Sequence, residues 1–227
     1  MTRLPGEGTD LKEGASLTGS SKAYFDALGG EWDRLREGLF SESVRLKALR
    51  IAGVERGALA VDVGAGTGFI TAALIEAGLR VVAVDQSRPM LDALRRRFPE
   101  SPQVECRVGS AESLPVGDGA VGYCFANMLL HHVEAPGVAI REMVRVLRPG
   151  GRLIVTDLDT HDHRFLRVEH HDRWMGFERE ELRRWFREAG LTDVRVKDLG
   201  EECCGTSCSG ETAAVRIFVA TGAVADL

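Results

Sequence analysis

The chain has 227 residues, 44% hydrophobic and 28% charged, which is enough apolar surface for one sizeable core at the upper end of single-domain size. A formal net charge of -5 and a pI near 5.7 exclude a broad basic footprint for nucleic acid, and no stretch approaches the roughly 20 apolar residues that span a bilayer. Five cysteines, an odd number in a chain too large to need disulfide staples, point to free thiols and a cytoplasmic setting.

Residues 1–20 are polar and Gly-rich, with no apolar segment of signal-peptide type, and read as a disordered leader. In the cap that follows (21–55), Phe25, Leu28, Trp32, Leu35 and Leu39 fall at helical spacing, and a second helix carries Val44, Ala48 and Ile51. From residue 58, apolar runs alternate with amphipathic segments. Strands are predicted at 59–63, 80–85, 104–108, 121–126 and 152–157, with helices at 67–77, after Ser87, and at 136–147. Gly78 caps one helix, Ser87 starts the next, and Pro149-Gly150-Gly151 is expected to stop the last. Nearly continuous apolar strands separated by helices indicate a parallel sheet covered on both faces.

After an insertion at 158–178, a helix carries Leu182, Trp185, Phe186 and Ala189 on one face. Two segments, 194–199 and 213–221, alternate like strands with no helix between them, so they should pair antiparallel. The fold class is therefore α/β: a doubly wound, mostly parallel seven-stranded sheet with a terminal antiparallel hairpin and an N-terminal helical cap. It forms a single domain over 21–222, with a tail at 223–227.

The sharpest chemical signal is Val61-Asp62-Val63-Gly64-Ala65-Gly66-Thr67-Gly68-Phe69, a strand running through a glycine turn into a helix. Glycines allow the tight turn and a close ligand approach, and the helix N-terminus offers free N–H groups to polar ligand atoms. The next strand ends at Asp85, about twenty positions beyond Gly64, where an acid accepts hydrogen bonds from ribose hydroxyls. A nucleotide-type cofactor follows. Phe69 stands where a dinucleotide fingerprint requires its third glycine, which disfavours a nicotinamide-dependent reductase.

With these residues the chain resembles the class I methyltransferases, the group that includes quinone-biosynthesis and other small-molecule methylating enzymes. The resemblance covers residues 24–158 and, more loosely, the terminal hairpin. It implies S-adenosylmethionine as donor and S-adenosylhomocysteine as product. The glycine turn (Gly64, Ala65, Gly66, Gly68, with Asp62 before it) would hold the amino acid portion of the donor, Asp85 the ribose, and Gln86 and Met90 would flank ribose and adenine. Ser110, Ala111 and Glu112 fall in a loop resembling the family's adenine-binding segment, Ser110 replacing a customary Asp, and Asn127 matches the strand end that faces the methyl group. Tyr24 is expected to reach the donor carboxylate from the cap, and Trp32 to contribute to a lid or to substrate binding.

Methyl transfer from a sulfonium is an in-line displacement that needs chiefly alignment and exclusion of water, with a general base only where the acceptor must lose a proton. His132, His161 and His163 are the candidate catalytic groups, and His131 a candidate substrate contact. His170-His171-Asp172 lies in the same insertion. Cys203, Cys204 and Cys208 read either as a redox-sensitive or structurally incidental loop or as a thiol-based grip on a soft acceptor such as trivalent arsenic, a partial similarity to arsenite methyltransferases. Cys124, inside a strand, reads as a small buried hydrophobe. No spacing fits a known zinc motif, so no metal is expected. The expected partner is a small-molecule acceptor, with neither nucleic acid nor membrane, in a monomer or homodimer. A non-catalytic cofactor-binding module is the alternative.

Overall fold

The computed structural model describes residues 21–99 and 101–226; the predicted leader lies outside them. The cap comprises α1 (Ser21–Leu28), a 3-10 turn at Gly29–Glu31, α2 (Trp32–Glu37) and α3 (Ser43–Ala52). Then follow β1 (Leu59–Val63), α4 (Phe69–Glu76), β2 (Arg80–Asp85), α5 (Arg88–Arg97), β3 (Val104–Val108), β4 (Val121–Asn127), a 3-10 turn at Leu130–His132, α6 (Pro136–Arg145) and β5 (Leu147–Leu158). The chain ends with α7 (Arg164–Glu169), α8 (Arg179–Glu188), β6 (Leu191–Thr206) and β7 (Thr212–Val224).

Seven strands form one sheet in the order β3-β2-β1-β4-β5-β7-β6. β1 to β5 pair in parallel, while β7 runs antiparallel to both β5 and β6. The doubly wound sheet with its antiparallel hairpin is as the apolar runs predict. Alternate strand residues feed opposite cores. Val61, Val63, Cys124 and Ala126 pack with Ile140 and Met143 of α6 and Phe186 of α8. Ala60, Tyr123 and Phe125 pack with Ala48 of α3 and Leu74 of α4. With both faces covered, β4 is buried at six of its seven positions, which is why polar alternation is missing from its sequence.

Several predicted boundaries shift for local reasons. The helix expected at 67–77 begins at Phe69, because Gly68 takes φ +94° and serves as its N-cap. The helix expected to run to 147 stops at Arg145, and Pro149-Gly150-Gly151 sits inside β5, opposite a register shift between Val121 and Tyr123. β6 and β7 extend well beyond the predicted strands, so the expected tail at 223–227 begins as strand up to Val224. Ile51 is exposed; the buried stripe of α3 turns instead toward Leu49 and Ala52. Among the described residues no helix is long and apolar enough to cross a membrane.

The cap is tied to the far edge of the sheet by Glu201 of β6. Its carboxylate accepts from Lys47 Nζ at 2.6 Å and Ser41 Oγ at 2.8 Å, and from Ser43 Oγ. Those partners, the Lys47 and Ser43 bonds foremost, pull its pKa from 4.5 down to about 2. A depressed acid stabilises the fold above its unfolded pKa and loses that contribution as pH falls through the folded value. Glu201→Gln is therefore expected to cost about 1 kcal/mol at neutral pH, after solvent screening. In urea titrations the gap to wild type should close as pH falls from 4.5 to about 2.

Candidate active site

The strand order reverses between β1 and β4, which in open α/β sheets is where ligands bind, beyond the carboxyl ends of the strands. A crevice opens there. Its floor is the glycine turn. Gly64, at φ +69°, folds the chain back so that its N–H and that of Ala65 both donate to Val84 O, at 2.8 and 3.1 Å. A side chain at Gly64 would meet Leu129 Cδ1 at 2.6 Å, so both backbone angle and space require glycine. Gly66 N–H donates to Asp85 Oδ2 at 2.9 Å, and Ser87 N–H to Asp85 Oδ1 at 2.8 Å. Burial raises the Asp85 carboxyl pKa, and these N–H groups work against that rise.

Asp62, Gly64, Ala65, Gly66, Asp85, Gln86, Met90, Ser110, Ala111, Glu112 and Asn127 all line this crevice. Asp62 is buried and accepts from Thr71 Oγ1 at 2.6 Å; burial pushes its pKa up to about 7. Glu112 directs one carboxylate oxygen to the N–H groups of Glu134 and Ala135, both at 3.1 Å, and the other to Ser110 Oγ at 2.7 Å. The Ser110–Glu112 loop is thereby clamped to the start of α6.

Two expectations about the donor side need correction. Gly68 does not line the crevice; its space is taken by Leu94 and Phe98, and its role is to start α4. Tyr24 faces away from the donor crevice and packs its ring 4.7 Å from that of His171, because the helical turn presents Ser21, Lys22 and Phe25 to the donor side instead.

Arg36, which the sequence reading passed over, is buried at the crevice wall. Its guanidinium stands 4.4 Å over the Phe69 ring and donates to Glu42 Oε1 at 3.1 Å, while its Nε is buried without a hydrogen-bond partner. A buried cation here suits a carboxylate ligand. Phe69, in the place of a third glycine, serves as the platform for this cation.

A second, smaller cavity adjoins the first. The two share Phe25, Trp32, Phe40, Met128 and His132, so His132 is the one titratable side chain on both walls. Phe25 packs edge-on against His132 at 4.9 Å and against Trp32 at 5.3 Å. Leu39, Leu158 and Leu166 supply apolar wall, and Tyr24, His131, His170, Asp172 and Cys203 supply polar groups. Met128 at φ +50° and His171 at φ +60° hold strained left-handed backbone here, of the kind that clusters at ligand sites.

His131 Nδ1 and Asp157 Oδ1 are 2.6 Å apart, and Asp157 is completely buried. Burial opposes charge on His131, but Asp157 and Asp172 outweigh it and raise its pKa to about 9. Burial and the neighbouring His131 keep His132 neutral, its pKa well below the ordinary value. Burial lifts Asp172 to about 6, against the pull of His131. Asp172 is brought to the histidines by its own loop, since the N–H groups of Arg173 and Trp174 both donate to His131 O, at 2.8 and 3.1 Å.

The remaining candidates are dispersed. His161 and His163 line neither cavity; their rings stack on each other at 5.8 Å. Cys203 and Cys204 lie within β6 rather than in the hairpin loop, and adjacent strand positions face opposite sides, so Cys203 is buried against the second cavity while Cys204 is exposed. Cys208 is exposed in the turn, its N–H on the Glu169 carboxylate. The three thiols do not converge, which removes the basis for soft-acceptor chelation. Cys124 is buried, as its strand position suggests.

Residues 61–155 match the methyltransferase domain family. An uncharacterized methyltransferase of Mycobacterium tuberculosis is 47% identical over 93 residues, 41% of this chain and 37% of that one. A demethylmenaquinone methyltransferase of Clavibacter sepedonicus is 32% identical over 145 residues, 63% of this chain and 59% of that one. The chain thus spans well under two thirds of the length of these relatives. A solved phosphoethanolamine N-methyltransferase of Haemonchus contortus, in complex with S-adenosyl-L-methionine, superposes with a TM-score of 0.67 at 17% identity, over 81% of this chain and 53% of that one. Glycine turn, sheet order and family match agree on a methyltransferase domain at residues 61–155, within a sheet of the class I methyltransferase fold.

Proposed function

We propose that the protein transfers a methyl group from S-adenosylmethionine to a small-molecule acceptor held in the second cavity, releasing S-adenosylhomocysteine. The carrying observation is that Gly66 and Asp85 meet at 2.9 Å in one crevice, which shares a wall with a separate cavity floored by His131, His132 and Asp172. The donor's amino acid end lies along Gly64–Gly66 with its carboxylate toward Arg36, and its ribose lies on Asp85. The methyl carbon then points past Asn127 and His132 into the second cavity.

An acceptor lone pair attacks that carbon in line with the leaving sulfur, and the electron pair of the broken bond neutralises the sulfonium. Charge disappears as the bond forms, so the site's main tasks are alignment and dryness. Phe25, Trp32 and Phe40 supply the dryness; the histidines and Asp172 orient a hydroxyl or amine and favour its deprotonated form. The apolar walls, together with the likeness to the demethylmenaquinone enzyme, support a ring-bearing acceptor of quinol type.

The test has two arms. Adenosylhomocysteine should raise the Tm of the purified chain and NADH should not. Tritiated methyl groups from the donor should then appear on a member of a panel of quinols, catechols, amines, thiols and arsenite. No stabilisation by adenosylhomocysteine would defeat the proposal; stabilisation without transfer to any acceptor would favour a non-catalytic module.

A further inference from the structure

The floor of the second cavity holds more polar chemistry than positioning alone requires. Donor atoms of His131, His132 and Asp172 lie within 4.8 Å of one another, and all three residues are buried. Asp172 Oδ1 stands 3.8 Å from His131 Nε2 and 3.9 Å from His132 Nδ1. Both distances are too long for hydrogen bonds. His132 Nδ1 accordingly is buried with no hydrogen-bond partner, an expensive arrangement for a polar atom. The same gaps are within the span of one ion at about 2.0–2.2 Å from each donor, since two such bonds reach up to about 4.2 Å.

The surroundings fit as well. The far nitrogen of His131 is fixed on Asp157, the carboxylate–histidine arrangement that orients metal ligands from outside the coordination sphere. Asp157 is itself held by the N–H groups of Leu130 and Leu158, both at 2.8 Å. Two buried carboxylates beside two imidazoles supply the charge that a divalent cation would balance. Imidazole with carboxylate suits zinc, iron, cobalt or nickel better than magnesium or calcium.

We propose that His131, His132 and Asp172 bind one divalent transition-metal ion, and that an oxygen of the acceptor takes an open position on that ion. This rests on the second cavity being the acceptor compartment. Three protein ligands leave room for an exogenous one, and Leu158 and Leu166 line the same cavity, which suits a hydroxylated ring with an apolar body. Such an ion would lower the pKa of an acceptor hydroxyl bound to it, so that the proton leaves as the acceptor enters. The acceptor oxygen would then form its bond to the methyl carbon as the carbon–sulfur bond breaks, the pair passing to sulfur, to leave a methyl ether and S-adenosylhomocysteine.

The full chain, stripped of metal by dialysis against dipicolinate, is titrated with Co2+ and followed by visible d–d absorption. One equivalent should bind. His132→Gln and Asp172→Asn should each weaken Co2+ at least tenfold, while Asp162→Asn, an exposed carboxylate on the same segment, should match wild type. Adenosylhomocysteine should still bind every variant, which certifies folding, and its affinity should stay unchanged in Asp172→Asn, because Asp172 does not line the donor crevice. Catechol should shift the bands of the wild-type Co2+ complex. Absence of stoichiometric Co2+ in a chain that binds adenosylhomocysteine, or equal Co2+ affinity in all variants, would overturn the metal site while leaving the methyltransferase reading intact. Bands indifferent to catechol would overturn the acceptor's place on the ion. Loss of adenosylhomocysteine binding in the unmodified chain would instead defeat the underlying reading.

Discussion

Replacing Asp85 by alanine is expected to weaken adenosylhomocysteine binding ten- to a hundredfold, about 1.5–3 kcal/mol. An ionised carboxylate has roughly four acceptor positions, and two of them serve the chain itself, through Gly66 N–H and Ser87 N–H. Asp85 also lines the crevice, and on the proposed reading its remaining acceptor capacity serves the ribose hydroxyls. Alanine removes those ligand bonds and also frees Gly66, slackening the turn under the donor's amino acid end. Asp85→Asn keeps an acceptor but loses the charge, so an intermediate affinity is expected by calorimetry. Wild-type affinity in Asp85→Ala would put the ribose elsewhere.

Asp157→Ala should act on stability rather than on donor binding. Asp157 has no exposed surface, borders neither cavity, and accepts from Leu130 N–H and Leu158 N–H besides facing His131. Its loss strands two backbone donors and leaves a buried imidazole without its carboxylate, a defect worth about 3–5 kcal/mol. Asp157→Asn retains an acceptor for the backbone and should recover about half of that. Urea unfolding measures both; a loss below about 1 kcal/mol for alanine would mean that the pair contributes little to the fold.

The crevice around the glycine turn and Asp85 could be read from the sequence because its determinants are local. A turn, the helix after it and the acid closing the next strand lie within Gly64 to Asp85, and the spacing of such units is set by covalent geometry. Arg36 escaped because the sequence around it, with alternating charges on a short helix, looks like a solvated face; only the packing of α2 over Phe69 buries it.

The second cavity is assembled from distant pieces. His131 and His132 come from a turn after β4, Asp172 from a loop about forty positions on, and Cys203 from a strand edge beyond that. No short motif encodes such a meeting, and the family's usual placement of acceptor residues pointed instead to the segment of His161 and His163. The cysteines were misjudged for a reason visible in principle: extended chain sends neighbouring side chains to opposite faces, so consecutive Cys203 and Cys204 in a strand cannot converge.

Helix α1 touches both compartments. Ser21, Lys22 and Phe25 border the donor crevice, while Tyr24 packs on His171 and Ser21 Oγ donates to His171 O at 3.1 Å, beside Asp172. On the proposed reading, one roof over two rooms would give spent cofactor and methylated product a single exit event. Release kinetics of the two should therefore be coupled, with turnover paced by the lifting of this helix rather than by bond exchange at carbon.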